Sequence, residues 1–500
     1  MTHAMSLVLR ADPGPAMLSA APIPAAGGMS AGEILVVLAA IAVVLARWLP
    51  PAARRWTAIG SMIALVAGAA STAAGMRWQL LLVLAGGLLA AAGIGAGRLM
   101  RRRSGRADRR ARWWVALPGS LACLGLITGG AVAAVALPVP AFPQPSGPFA
   151  VGTTVTQWTD PDREETATAE ADGGRTVVVQ FWYPALPGSP DAPRAQYLGR
   201  TREEADTVAA AAAGYLGIPG LVLDGPTRAR THAVHDAAPA AGRFPVVLFS
   251  PGLGGVRTQN TAWAEELASR GYLVAGVDHP YDSAAVMLAD GRTLRTRIAA
   301  GGDRAEDARR RLGWTTVRAS DLSFVLTQLG RLDRGEIPGP FTGRLDTGRV
   351  AATGHSLGGA AAMWAAHRDP RFTAVINLDG GPEPAQGPLR QPVLAVTHEA
   401  VDQADADYIA ALSKVLDEGA ATGYRLTVPG SAHLTFTDGP LYLPPVPALT
   451  GSLGRTEAVR MTTDTCAAFL DATLRGQPVD LPGTLSRHGD LRVHPPTSRP

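Results

Sequence analysis

The sequence predicts two unlike parts: a bundle of about four transmembrane helices over residues 31–138, then a mostly parallel, doubly wound α/β sheet over residues 150–476. Three observations predict this. Long uncharged runs crowd the first quarter, although the whole chain is 47% apolar and 18% charged. Beyond residue 150, short apolar strands alternate with helices, as in a parallel sheet covered on both faces. Within that alternation, residues 349–353 read as a strand, Gly354-His355-Ser356-Leu357-Gly358-Gly359 as a sharp turn, and 360–366 as a helix.

Runs 56–76, 78–97 and 113–137 are free of charge, and each reaches the roughly 20 residues that cross about 30 Å of hydrocarbon. A fourth, 34–49, is shorter and carries Arg47 near its end, where the side chain can snorkel to the interface. Trp48, Trp56, Trp78, Trp113 and Trp114 stand at the run ends, as interfacial tryptophans do. Arg47, Arg54 and Arg55 fall between the first and second runs; Arg98, Arg101, Arg102, Arg103, Arg106, Arg109, Arg110 and Arg112 fall between the third and fourth. Four spans with both basic loops inside make a multi-pass plasma-membrane anchor with the C-terminal part extracytoplasmic. No Asp, Glu, His or Lys pair within these runs marks a transport path, so the predicted role is anchoring.

Residues 1–30, rich in Ala and Pro without periodicity, are expected to be a disordered tail. Residues 139–149 read as a stiff Pro-rich linker and 477–500 as a loose C-terminal tail. The net charge of +4 rests on Arg spread along the whole chain, with Lys414 the single lysine, so no basic groove for nucleic acid is predicted. Cys123 and Cys466 form neither a disulfide framework nor a metal-spaced cluster.

In the second part, 151–159 and 176–183 read as leading antiparallel strands joined at Gly173-Gly174. Residues 186–240 have one helical patch, 202–215, and are placed over a site mouth, with His232 and His235 as surface residues of a polar loop. The apolar run 244–249 is a central strand ending in Ser250-Pro251-Gly252-Leu253-Gly254-Gly255. A helix follows at 260–270, a strand at 272–277, a helix at 318–329, then the strand before Ser356. Beyond it come strands 373–378, 392–397 and 424–428, a helix at 405–418 and a closing helix at 456–474.

A strand, G-x-S-x-G and helix in that order form a nucleophile elbow, which lifts Ser356 out of the sheet in front of a helix N-terminus. Serine is a poor nucleophile at its own pKa, so it requires a histidine base and a carboxylate to orient that base. Asp379 and His433 follow strands at their carboxyl ends, where functional groups gather in such sheets. His433 is the predicted base, with His279 and His398 as other strand-end histidines and His355 behind the nucleophile. Asp379 is the predicted acid; Asp402 and Asp405, one strand later, are the alternatives. The oxyanion hole is assigned to the backbone N–H groups of Leu253 and Leu357.

Together Ser250-Pro251-Gly252-Leu253-Gly254, Gly354-His355-Ser356-Leu357-Gly358-Gly359, Asn377-Leu378-Asp379 and Gly430-Ser431-Ala432-His433 resemble the α/β-hydrolases of the plasma-type platelet-activating factor acetylhydrolase family. The resemblance covers about residues 150–475. It implies the α/β-hydrolase fold and a calcium-independent serine esterase acting on short or oxidised acyl groups of phospholipids, with Ser356, Asp379 and His433 as triad. No metal or organic cofactor is implied. Pro251 stands where that family commonly has His, a feature shared with cutinase-like polyester hydrolases. The alternatives are therefore a cutinase- or lipase-like hydrolase of longer acyl esters, and a catalytically silent receptor or scaffold. Against the last stand a complete triad and an intact glycine loop.

Overall fold

The computed structural model describes residues 7–8, 28–104, 113–168, 174–189, 191–299, 301, 304–384 and 386–497. In chain order the strands are β1 Leu7–Val8, β2 Ala150–Glu164, β3 Gly174–Ala185, β4 Arg194–Gln196, β5 Arg230–His235, β6 Phe244–Ser250, β7 Leu273–Asp278, β8 Ala285–Met287, β9 Thr293–Arg295, β10 Leu345–His355, β11 Ala374–Leu378, β12 Val393–His398, β13 Gly423–Val428 and β14 Asp490–His494. The helices are α1 Ala31–Ala46, α2 Pro51–Thr72, α3 Trp78–Arg103, α4 Trp113–Ala136, α5 Arg202–Leu216, α6 Asp224–Arg228, α7 Thr261–Ser269, α8 Arg304–Asp333, α9 Leu357–Arg368, α10 Gln403–Asp417, α11 Pro447–Thr450, α12 Arg455–Thr473 and α13 Leu481–Leu485. The chain divides into two units: Pro13–Ala141 with Leu221–Arg228, and Met1–Asp12, Phe142–Gly220 and Ala229–Pro500.

The smaller unit contains α1 to α4. Among the described residues two helices are long and apolar enough to cross a membrane, Trp78–Arg103 and Ala116–Ala136. The expectation of four spans is corrected: only these two helices qualify as candidates among the described residues. α1 has 16 residues, about 24 Å at 1.5 Å per residue and short of the hydrocarbon thickness. α2 has the length, but Arg54 and Arg55 in its first turns and Ser61, Ser71 and Thr72 farther along dilute its apolar character. A buried ion pair also lies here: Arg77 Nε donates to Glu33 Oε1 at 2.6 Å, and Glu33 closes a capping box with Ser30. Both residues stand just outside the uncharged runs, and 44 positions separate them in the chain. Arg106, Arg109, Arg110 and Arg112, used for the predicted topology, lie outside the described residues, as does Gly173.

The larger unit is built on a twelve-stranded sheet, order β14-β13-β12-β11-β10-β6-β7-β3-β2-β5-β4, with β1 against β2. The six strands from β13 to β7 are parallel to one another. β6 shows why the central run is apolar throughout. Val246 and Leu248 face a core formed with α8, α9 and α10, whereas Val247 and Phe249 face one formed with α7 and α12, so both faces are buried.

Three boundaries differ from the sequence reading. α8 begins 14 residues before the expected 318, because its first turns are rich in charged residues and carry no apolar period. The segment 477–500 was expected to be loose; within it β14 pairs antiparallel with β13, the half-polar pattern of an edge strand. In the tail 1–30, Leu7–Val8 pair with β2 and Met29 is buried; residues 1–6 and 9–27 lie outside the described residues.

Arg257 ties three elements together, donating to Asp278 Oδ2 at 2.5 Å on β7 and to Glu204 Oε1 at 2.7 Å on α5, all nearly fully buried. Removing one member of such a network leaves uncompensated buried charge. Arg257→Met is therefore expected to cost about 3–5 kcal/mol, read from the denaturant midpoint of the unfolding transition.

Candidate active site

β10 delivers Ser356 to the N-terminus of α9 with φ 55° and ψ −123°, a conformation that non-glycine residues rarely adopt and that marks a nucleophile elbow. Two glycines make the turn sterically possible. A Cβ at Gly358 would lie 1.9 Å from Ser250 O, and one at Gly354 would lie 2.3 Å from the Gly358 carbonyl.

Three chain-distant groups meet there. His433 Nε2 is 3.0 Å from Ser356 Oγ, and His433 Nδ1 donates to Asp379 Oδ2 at 2.6 Å. This tautomer leaves Nε2 free to accept the serine proton. Asp379 itself sits at φ 58° after β11. Its carboxylate also accepts from Tyr408 Oη at 2.6 Å and from His398 Nδ1 at 2.8 Å. Burial alone would raise the Asp379 carboxyl, but the hydrogen bonds from His398 and His433 outweigh it and hold the group well below the usual carboxylate range. His433 is 47% exposed, so the constellation opens to solvent.

The residues assigned to the oxyanion hole are placed by a second network. Leu357 is the first residue of α9, where a backbone N–H has no intrahelical acceptor. In the Ser250–Gly255 loop, Gln259 Oε1 takes the N–H of Gly252 at 2.9 Å, and that of Leu253 has no hydrogen-bond acceptor among the described residues. Fully buried Arg318 donates to the carbonyls of Pro251 and Gly252, the latter at 2.9 Å, and pairs with Asp282. These donations fix the orientation of the loop's carbonyls. Tyr215, near the end of α5, lies against Gly254.

The other candidates go elsewhere. Asp402 caps α10, accepting from Asp405 N, and Asp405 reaches His398 Nε2 at 3.2 Å; neither touches His433. His279 is wholly buried, donating from Nδ1 to Asp321 at 2.7 Å with Nε2 2.9 Å from Ser250 Oγ. His355 Nε2 donates to the His433 carbonyl at 2.8 Å while Nδ1 accepts from Gln259. Burial, assisted by neighbouring His433, lowers His355 to about 3 and keeps it neutral. His232 and His235 lie on strand β5 and not in a loop.

Among the described residues, Asp379, His398 and His433 form a cluster of metal-type donor atoms, all within 4.8 Å of one another. Those donors are already joined by hydrogen bonds of 2.6 to 2.9 Å. Sequence reasoning missed Gln259, Arg318 and Tyr408. The one available signal was that Arg318 and Asp321 recur one turn apart on a helix.

The sequence matches the family model described as "Platelet-activating factor acetylhydrolase, isoform II" over residues 136–306 and 331–478. It is 28% identical over 250 residues to the probable 1-alkyl-2-acetylglycerophosphocholine esterase of Arthroderma benhamiae, covering 48% of this chain and 59% of that protein. It is 32% identical over 155 residues to the platelet-activating factor acetylhydrolase of Cavia porcellus, covering 27% and 35%. The chain thus spans about three-fifths or less of the length of these relatives. Among solved structures it is similar to the ferulic acid esterase from Streptomyces cinnamoneus, with TM-score 0.56 and 30% identity over 71% of this chain and 99% of that one.

Proposed function

The chain belongs to the platelet-activating factor acetylhydrolase, isoform II family, and on that premise we propose that it is a carboxylic ester hydrolase working through an acyl-enzyme. The supporting observation is the unbroken hydrogen-bonded chain from Ser356 through His433 to Asp379. In this reading Ser356 Oγ attacks the acyl carbon and passes its proton to His433 Nε2. The tetrahedral oxyanion accepts from the N–H groups of Leu253 and Leu357. His433 then protonates the departing alkoxide; a water, deprotonated by the same nitrogen, releases the acid and restores the serine.

The substrate we propose is a phospholipid with a short or oxidised acyl group, in keeping with the names of the relatives. Esters of bulkier acids are the second reading, favoured by Pro251, by the solvent-open His433 and by the esterase neighbour. A series of nitrophenyl esters from acetate to laurate, with oxidised phosphatidylcholine and a feruloyl ester beside it, separates them. The first reading expects kcat/KM to fall at least tenfold between acetate and laurate. A maximum at laurate or at the feruloyl ester would replace it with the second. We further propose that Trp78–Arg103 and Ala116–Ala136 anchor the chain in the plasma membrane with the hydrolase unit outside the cytoplasm. The arginines at the end of α3 support this orientation. Protease added to intact cells should then remove the esterase activity; full protection would overturn the orientation.

A further inference from the structure

Behind the triad acid lies a histidine that the reaction as written does not use. His398 ends β12, with Nδ1 2.8 Å from Asp379 Oδ2 and Nε2 3.2 Å from Asp405 Oδ2 on α10. Its backbone N–H also donates to Asp379, at 3.1 Å. Both ring nitrogens therefore face carboxylates. A neutral imidazole can donate from only one nitrogen, so satisfying both requires the imidazolium. Two histidines then share one catalytic carboxylate, with ring centroids 6.4 Å apart.

We infer that His398 is a positioning residue held as an imidazolium between Asp379 and Asp405, which fixes the Asp379 carboxylate for His433. The inference rests on the esterase reading above and deepens it. The hydrogen bond to Asp379 is the largest cause holding the His398 proton on, up to about 9, against the cost of burial. The other charged or titratable groups nearby have assigned places. Tyr408 donates to Asp379 from the α10 side. Glu399 accepts from Gly430 N. Arg311 faces Glu383 at 3.5 Å, Arg425 on β13 donates to Thr427 Oγ1 at 2.7 Å, and His355 is buried and neutral.

The test is the steady-state kinetics of the full chain on a short nitrophenyl ester. His398→Ala removes the side-chain N–H that holds Asp379 and is expected to lower kcat at least about tenfold with KM within about twofold, while His398→Asn, which keeps an N–H for Asp379, should recover most of that loss. Asp405→Asn leaves His398 on Asp379 but weakens the hold on its proton, so kcat at neutral pH should change little while activity is lost at a lower alkaline pH than in the wild type. An unchanged kcat in His398→Ala, an equal loss in both His398 variants, or an alkaline limb unmoved by Asp405→Asn would overturn the inference. If neither His398 variant folds, the alkaline limb of Asp405→Asn decides alone. Failure of the esterase reading would show differently, as no Ser356-dependent turnover at any pH.

Discussion

Ser356→Ala is expected to lower kcat for ester hydrolysis by about 10⁴- to 10⁶-fold while leaving the thermal midpoint within a few degrees of the wild type. On the proposed esterase reading the serine hydroxyl is the nucleophile: it sits on the strained elbow with His433 Nε2 3.0 Å away, and the N–H groups of Leu253 and Leu357 are the proposed oxyanion donors. Without it His433 and Asp379 have nothing to activate, and residual turnover comes only from binding and the oxyanion site. Alanine fits the same backbone, since the strain sits in φ and ψ and not in the side chain. Covalent labelling by a fluorophosphonate, read alongside kcat, checks the assignment. Labelling that persists in the variant would show that another residue is the nucleophile.

Asp379→Asn is expected to cost about 10⁴-fold in kcat. The carboxylate accepts from His433, His398 and Tyr408 together. An amide must present an N–H₂ to some of these donors, and His433 would be driven toward the tautomer that carries its proton on the nitrogen facing Ser356. Asp402→Asn is the control. Asparagine caps a helix as well as aspartate does, and Asp402 serves only as the cap of α10, so activity should stay within about twofold. If the two effects were exchanged, the acid would belong to the later strand. The carboxylate also contributes to pH dependence. Its folded pKa is depressed, so it stabilises the fold above the ordinary carboxylate pKa of about 4, and that contribution is lost as pH falls through the folded value.

Much of this site was legible in the chain because its first requirement is local. A strand, a turn of small residues and a helix lie within about 20 consecutive positions, and the steric logic of Gly354 and Gly358 is carried by those residues themselves. Asp379 and His433 were legible from a rule of the fold, that groups at the carboxyl ends of parallel strands share one edge. The membrane part was less legible. Counting uncharged residues treats α2 and α3 alike, although the polar residues dispersed along α2 set them apart.

By itself the sequence determined the alternation of elements, the strained elbow at Ser356 and the order Ser, Asp, His, because each depends on side-chain size, periodicity or strand-end position. Only the tertiary structure decided what holds those groups. His398 meets Asp379 because β12 lies beside β11 in register. Arg318 reaches loop carbonyls 66 and 67 residues away because α8 packs beneath β6. β14 completes the sheet edge far from its partner β13 in the chain. Such contacts arise when packing brings distant surfaces together, and no local pattern encodes which buried polar group will satisfy another.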